Sequence, residues 1–157
     1  FSISNRQDRV LFIGHWLRNP ELFVNLKTNL KKTCLHSIHK FPKTVEEMQY
    51  LSEMEYDKLL ATNVVFLGLH ASSANNAVIE CIARSTPLLV NRLKALEEYL
   101  GKDYPLFYSS LEEASSKLAD DRLIAEAHRY LTDMDKSFLK LDHFVHSIAN
   151  SDIYQSL

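Results

Sequence analysis

Glycine is scarce in this chain of 157 residues: there are three, at positions 14, 68 and 101. No G-x-G-x-x-G or G-x-x-x-x-G-K pattern can be assembled from them. A dinucleotide-binding turn and a P-loop are therefore excluded. Cysteine is rarer still. Cys34 and Cys81 sit in apolar sequence and supply no disulfide framework. Two reduced, buried thiols are expected, which suits a reducing compartment. No apolar run reaches the roughly 20 residues that span a bilayer, so no transmembrane segment is expected. Cations are not in excess. With 18 Lys and Arg against 20 Asp and Glu, the net charge is −2. That balance argues against a nucleic-acid-coating surface, which needs clustered positive charge. No signal-peptide pattern is recognisable, and a cytoplasmic location is expected.

A composition 46% hydrophobic and 24% charged fits a globular domain long enough to bury a real core. Residues 1–157 are expected to form a single Rossmann-like domain, and the start at Phe1 rather than Met suggests a fragment of a longer protein. The pattern alternates. Arg9–Gly14 predicts a buried strand. Asn19-Pro20 opens a helix expected to run to about Lys32, with Leu22, Phe23, Leu26 and Leu30 on one face. Cys34–Ile38 and, more weakly, Val45–Leu51 predict strands. Ser52 and Glu55 form a capping box for a helix over Glu53–Ala61. Asn63–Leu69 and Thr86–Asn91 predict strands around a helix at Asn75–Ser85. Leu93–Leu100 predicts a helix closed by Gly101, and Tyr104–Tyr108 an edge strand, given Pro105. Helical sequence then dominates 110–157, at Glu112–Leu118, Arg122–Leu131 and Asp135–Ile148. Phe138, Leu141, Val145 and Ile148 share a face there, for the core or for a partner domain. The expectation is an α/β fold: a Rossmann-like, mostly parallel sheet flanked by helices, with a helical C-terminal segment.

The segment NVVFLGLHASSANNAVIECIARSTPLLVN, residues 63–91, carries the chemistry. It reads as strand, small polar loop, helix, strand. In an open parallel sheet, ligands bind beyond the carboxyl ends of the strands, where helix N-termini present free N–H groups. Ser72, Ser73, Asn75 and Asn76 are more small polar residues than one helix cap requires, and their backbone suits a phosphate. Glu80 lies in the first two turns of the helix among Val78, Ile79, Cys81 and Ile82. A carboxylate in that setting is costly unless paired or facing a ligand. It can accept two hydrogen bonds from a vicinal diol such as ribose. The competing reading is an ordinary carboxylate favoured by the helix dipole. The loop Gly14-His15-Trp16-Leu17-Arg18 should reach the same edge. Arg18 suits a diphosphate; Trp16 suits either stacking on a flat group or packing. The pairs His36/His39 and His143/His146 lack a third ligand, so no metal site is assigned.

With these residues laid out, the chain resembles the C-terminal, nucleotide-sugar-binding half of a GT-B glycosyltransferase, over residues 8–115. The resemblance rests on SSANNAVIECIARSTPLLVN, on ALEEYLGKDYPLFY and on IGHWLR. It implies that Glu80 holds the ribose of a nucleoside diphosphate sugar. It places the diphosphate at Asn75, Asn76 and the next backbone N–H groups at the helix start, and His15 and Arg18 in the loop that brings basic groups to it. It also implies a metal-independent transfer, as in polysaccharide biosynthesis. The acceptor would sit on an N-terminal domain outside these residues, so the chain alone would lack turnover. No catalytic residue is assigned. The family pattern is broken at Ser72, where many relatives carry a second glutamate, and at His15, Pro20 and Ala71. The alternative is accordingly a degenerate nucleotide-binding or protein-interaction domain of the same fold.

Overall fold

The computed structural model describes residues 5–35, 38–71 and 75–155. Six strands form one sheet: β1 (Arg9–Ile13), β2 (Lys31–Leu35), β3 (Glu46–Met48), β4 (Val64–Leu67), β5 (Leu88–Asn91) and β6 (Phe107–Tyr108). Their spatial order is β3-β2-β1-β4-β5-β6, and every pairing is parallel. The fold is α/β and Rossmann-like. Parallel neighbours need crossover segments, which α1 (Pro20–Asn25), α2 (Glu53–Thr62), α3 (Asn76–Arg84) and α4 (Lys94–Leu100) supply. Right-handed crossovers place α1 on one face of the sheet and α2 and α3 on the other. The sheet is covered on both faces, so its central strands carry apolar residues without alternation: Val10–Ile13 and Val64–Leu67 are all buried.

Aromatic rings bind α1 to the sheet. Phe23, the one buried residue of α1, meets Phe12 of β1 at 5.1 Å and Phe66 of β4 at 5.8 Å between centroids. Phe66 stacks on Tyr108 of β6 at 5.5 Å. Such pairs add about 0.5–1.5 kcal/mol each beyond the area they bury. On the other face, α2 begins with the expected reciprocal cap between Ser52 and Glu55.

Several boundaries differ from the sequence reading. The helix after Pro20 stops at Asn25, and Lys31 and Lys32 belong to β2. Pairing of Lys31–Leu35 along the whole of β1 outweighs the helical period continued by Leu30. Of the Tyr104–Tyr108 run, only Phe107 and Tyr108 pair with β5. Tyr104 is instead buried, its Oη accepting a hydrogen bond from Leu88 N at 2.8 Å. The expected strand position at the edge is retained.

Beyond β6 lie α5 (Leu111–Leu118), α6 (Asp121–Asp133), α7 (Leu141–Ala149) and α8 (Asp152–Gln155). The helix expected over Asp135–Ile148 is broken: a 3-10 turn covers Ser137–Leu139 and α7 starts afresh at Leu141. The shared apolar face breaks with it. Phe138 packs against the core, whereas Leu141, Val145 and Ile148 are exposed. No helix among the described residues is long and apolar enough to cross a membrane.

Gly68, at the end of β4, has no room for a side chain. A Cβ there would stand 2.8 Å from Leu22 Cδ1, 3.2 Å from Leu22 Cβ and 3.3 Å from Tyr108 Oη. Gly68→Ala should therefore lower stability by about 1–3 kcal/mol, measured by urea unfolding at an unchanged m-value. An unaltered midpoint would contradict this close packing.

Candidate functional site at the carboxyl edge of the sheet

β1 and β4 are neighbours, yet β1 leads onward to β2 and β4 to β5. The two connections leave in opposite directions and open a crevice between them, the usual ligand position in this architecture. A cavity of about 320 Å³ lies there, lined by Gly14–Arg18, Tyr56, Ala71, Asn75–Ala77 and Glu80, among others. That volume lies within the range of small-molecule sites.

The floor is built from two loops stitched together. Gly14 turns the chain at φ +76°, and Leu17 follows at φ +55°, a left-handed conformation costly for a branched side chain. Arg18 and Leu69 then pair antiparallel. Asn19 N donates to Gly68 O at 2.7 Å and His70 N to Leu17 O at 3.1 Å. Asn91, at the end of β5, clamps the backbone of Leu69 from both sides: Leu69 N donates to its Oδ1 at 2.8 Å and its Nδ2 to Leu69 O at 2.9 Å. The strain at Leu17 is held by this surrounding network.

Arg18 spans the crevice. Its Nε donates to Ile13 O, its Nη1 to Trp16 O and its Nη2 to Asn75 Oδ1, at 3.1, 3.2 and 3.1 Å. The same Asn75 oxygen caps α3 by accepting from Val78 N. A cation and a helix N-terminus, both positive in sign, are thereby held against one cavity. Among its described lining residues the single carboxylate is Glu80. Burial lowers the Arg18 pKa from its ordinary value, but a guanidinium starts so high that it stays charged. Three of its five N–H donors bond the protein itself within the described residues, and a guanidinium can use its other two on a ligand.

Glu80 is half-buried at the rim of the apolar face of α3. One of its oxygens, Oε2, accepts from Tyr56 Oη of α2 at 2.5 Å. The next turn of α3 adds a second tie, Arg84 Nη2 and Nε to Asp57 Oδ1 at 2.6 and 2.9 Å. Burial, aided by the bond to Glu80, raises the Tyr56 phenol well above its ordinary pKa, so it remains a donor. Burial likewise raises Cys81, which as a neutral thiol adds no charge.

Comparison of the sequence with known protein families and with curated proteins gives no match.

Of the residues singled out from sequence, His15, Trp16, Arg18, Asn75, Asn76 and Glu80 line one cavity. Trp16 is 76% exposed, which rules out core packing and leaves its ring at the mouth. Ser73 and its neighbour Ser72 lie outside the described residues. Tyr56 was missed. In the run EMEYDKLL nothing distinguishes it from a helix surface residue, and the partner that gives it meaning lies 24 positions away. Asn91 was missed for the same reason. An Asp-x-Asp sequence does occur, at Asp133-Met134-Asp135, but neither carboxylate lines the cavity.

Asn75 is 8% exposed and serves both the cap and Arg18. Asn75→Ala should cost about 0.5–2 kcal/mol, whereas Asn76→Ala, at an exposed position, should change stability by under about 0.5 kcal/mol. Equal losses in parallel denaturant titrations would contradict the bridging role of Asn75.

Proposed function

We propose that this chain is the donor-binding domain of a GT-B glycosyltransferase, holding a nucleoside diphosphate sugar in the crevice between β1 and β4. The observation that carries the reading is the meeting, in one cavity, of Arg18, the capped start of α3 and the lone carboxylate of Glu80. The polarity of that arrangement matches the ligand. A diphosphate is attracted by the helix N-terminus and by the two remaining guanidinium donors. A ribose diol donates to a carboxylate, as Glu80 can receive it. Trp16 at the rim offers a flat face.

The chemistry assigned to this half of the enzyme is electrostatic. As the bond between the anomeric carbon and the diphosphate oxygen breaks, negative charge accumulates on the leaving group. Arg18 and the first N–H groups of α3 oppose that charge from positions fixed before the reaction begins, and a fixed donor of this kind is typically worth about 3–4 kcal/mol in the barrier. The acceptor would be held by an N-terminal domain of the same enzyme. Cytosolic polysaccharide synthesis or protein modification fits the family resemblance.

One observation favours the alternative of a nucleotide-binding or interaction domain without transfer activity. Arg18 is tied to three groups of the protein itself, and Pro20, where relatives carry a second cation, forms the first residue of α1. Diphosphate contacts are correspondingly fewer.

Calorimetric titration with UDP, GDP and their sugar conjugates, without added metal, tests the reading. Saturable binding of one nucleotide is expected. Glu80→Gln should weaken it by about 1.5–3 kcal/mol, roughly ten- to a hundredfold in Kd, at a nearly unchanged melting temperature. Absence of binding at millimolar ligand, or a large drop in stability with no effect on affinity, would contradict it.

A further inference from the structure

We propose that Tyr56 is a positioning residue that orients the Glu80 carboxylate, and that the pair makes the cavity select an intact ribose over a 2′-deoxyribose. The inference rests on the nucleotide-binding reading above and adds to it a specificity device on a different helix.

Glu80 has three rotatable side-chain bonds, and an unrestrained carboxylate loses that freedom when it engages a ligand. Here the loss is incurred on folding. Tyr56 Oη donates to Oε2 at 2.5 Å, the length of a charge-assisted O–H···O⁻ bond. Glu80 and Tyr56 both line the cavity, and a carboxylate with its two oxygens can accept further hydrogen bonds from a ligand hydroxyl.

The donor is itself held in place. Tyr56 sits in the first turns of α2, directly after the Ser52–Glu55 capping box. Its neighbour Asp57 is paired with Arg84, one turn beyond Glu80 on α3. Two consecutive residues of α2 thus grip α3 at Glu80 and at Arg84, which fixes both the spacing and the rotation of the two helices at the site. Because burial keeps the phenol protonated, the hydrogen bond persists across the physiological pH range. A carboxylate fixed in this way presents acceptors at set positions, and a sugar lacking one hydroxyl leaves part of that set unpaired. Sites built to bond a hydroxyl discriminate strongly against the analogue without it.

The test compares UDP with dUDP and GDP with dGDP on the wild type and on Tyr56→Phe, with inorganic pyrophosphate as a probe of the diphosphate contacts alone. The wild type should prefer the ribonucleotide by about tenfold or more. Tyr56→Phe should bring that ratio close to one and leave pyrophosphate affinity unchanged, at a melting temperature lowered by the loss of one part-buried hydrogen bond but with cooperative unfolding retained. A ribonucleotide preference retained in Tyr56→Phe would overturn the positioning role while leaving the donor-site reading intact. Equal loss of pyrophosphate and nucleotide affinity would overturn it too, since that marks general damage to the site. Failure of the wild type to bind any nucleotide would overturn both.

Discussion

The carboxyl edge of the sheet depends on the pairing of β1 with β4, whose chains then diverge. Val10 and Leu11 lie beside Val64 and Val65, although about fifty residues of chain separate them. Once that pairing forms, the loops after both strands must share the space above it. Their backbones bond one another through Arg18, Leu69, Asn19 and Gly68. Arg18 then reaches Asn75, and Asn75 starts α3. The crevice is a consequence of topology; its positive character is a consequence of one arginine and one helix end placed there.

Among the described lining residues the opposite sign enters through Glu80. A carboxylate beside a buried thiol and apolar neighbours is unfavourable unless something receives it, and α2 provides the phenol that does. The cavity therefore brings together donors, at Arg18 and the start of α3, and an acceptor, at Glu80, among apolar neighbours such as Ile13, Leu17 and Ala77. Such a combination suits a ligand that carries both anionic groups and hydroxyls.

The sequence showed the alternation of strands and helices because central parallel strands are continuously apolar and helices carry caps at fixed spacing. Ser52 with Glu55, and Asn75 before α3, were legible for that local reason. So was the clustering of polar residues after β4. What could not be read was set by distant partners. The end of α1 at Asn25 follows from the register of β2 on β1. Tyr56, Asn91 and Tyr108 derive their roles from Glu80, Leu69 and Leu67 respectively, and no period in the chain announces those pairs. The apolar residues of α7 fitted a core pattern, but the break at the 3-10 turn left Leu141, Val145 and Ile148 at the surface.

A nucleoside diphosphate bound in the crevice between β1 and β4 would touch three segments of the chain. The most direct measurement is an amide chemical-shift titration of isotopically labelled protein with a nucleoside diphosphate. Saturable shifts are expected, confined to the loop Gly14–Asn19, the start of α3 from Asn75 to Glu80, and Tyr56 on α2. Shifts confined to the opposite edge of the sheet, around Thr28 and Ser115, or no shifts at millimolar ligand, would contradict it.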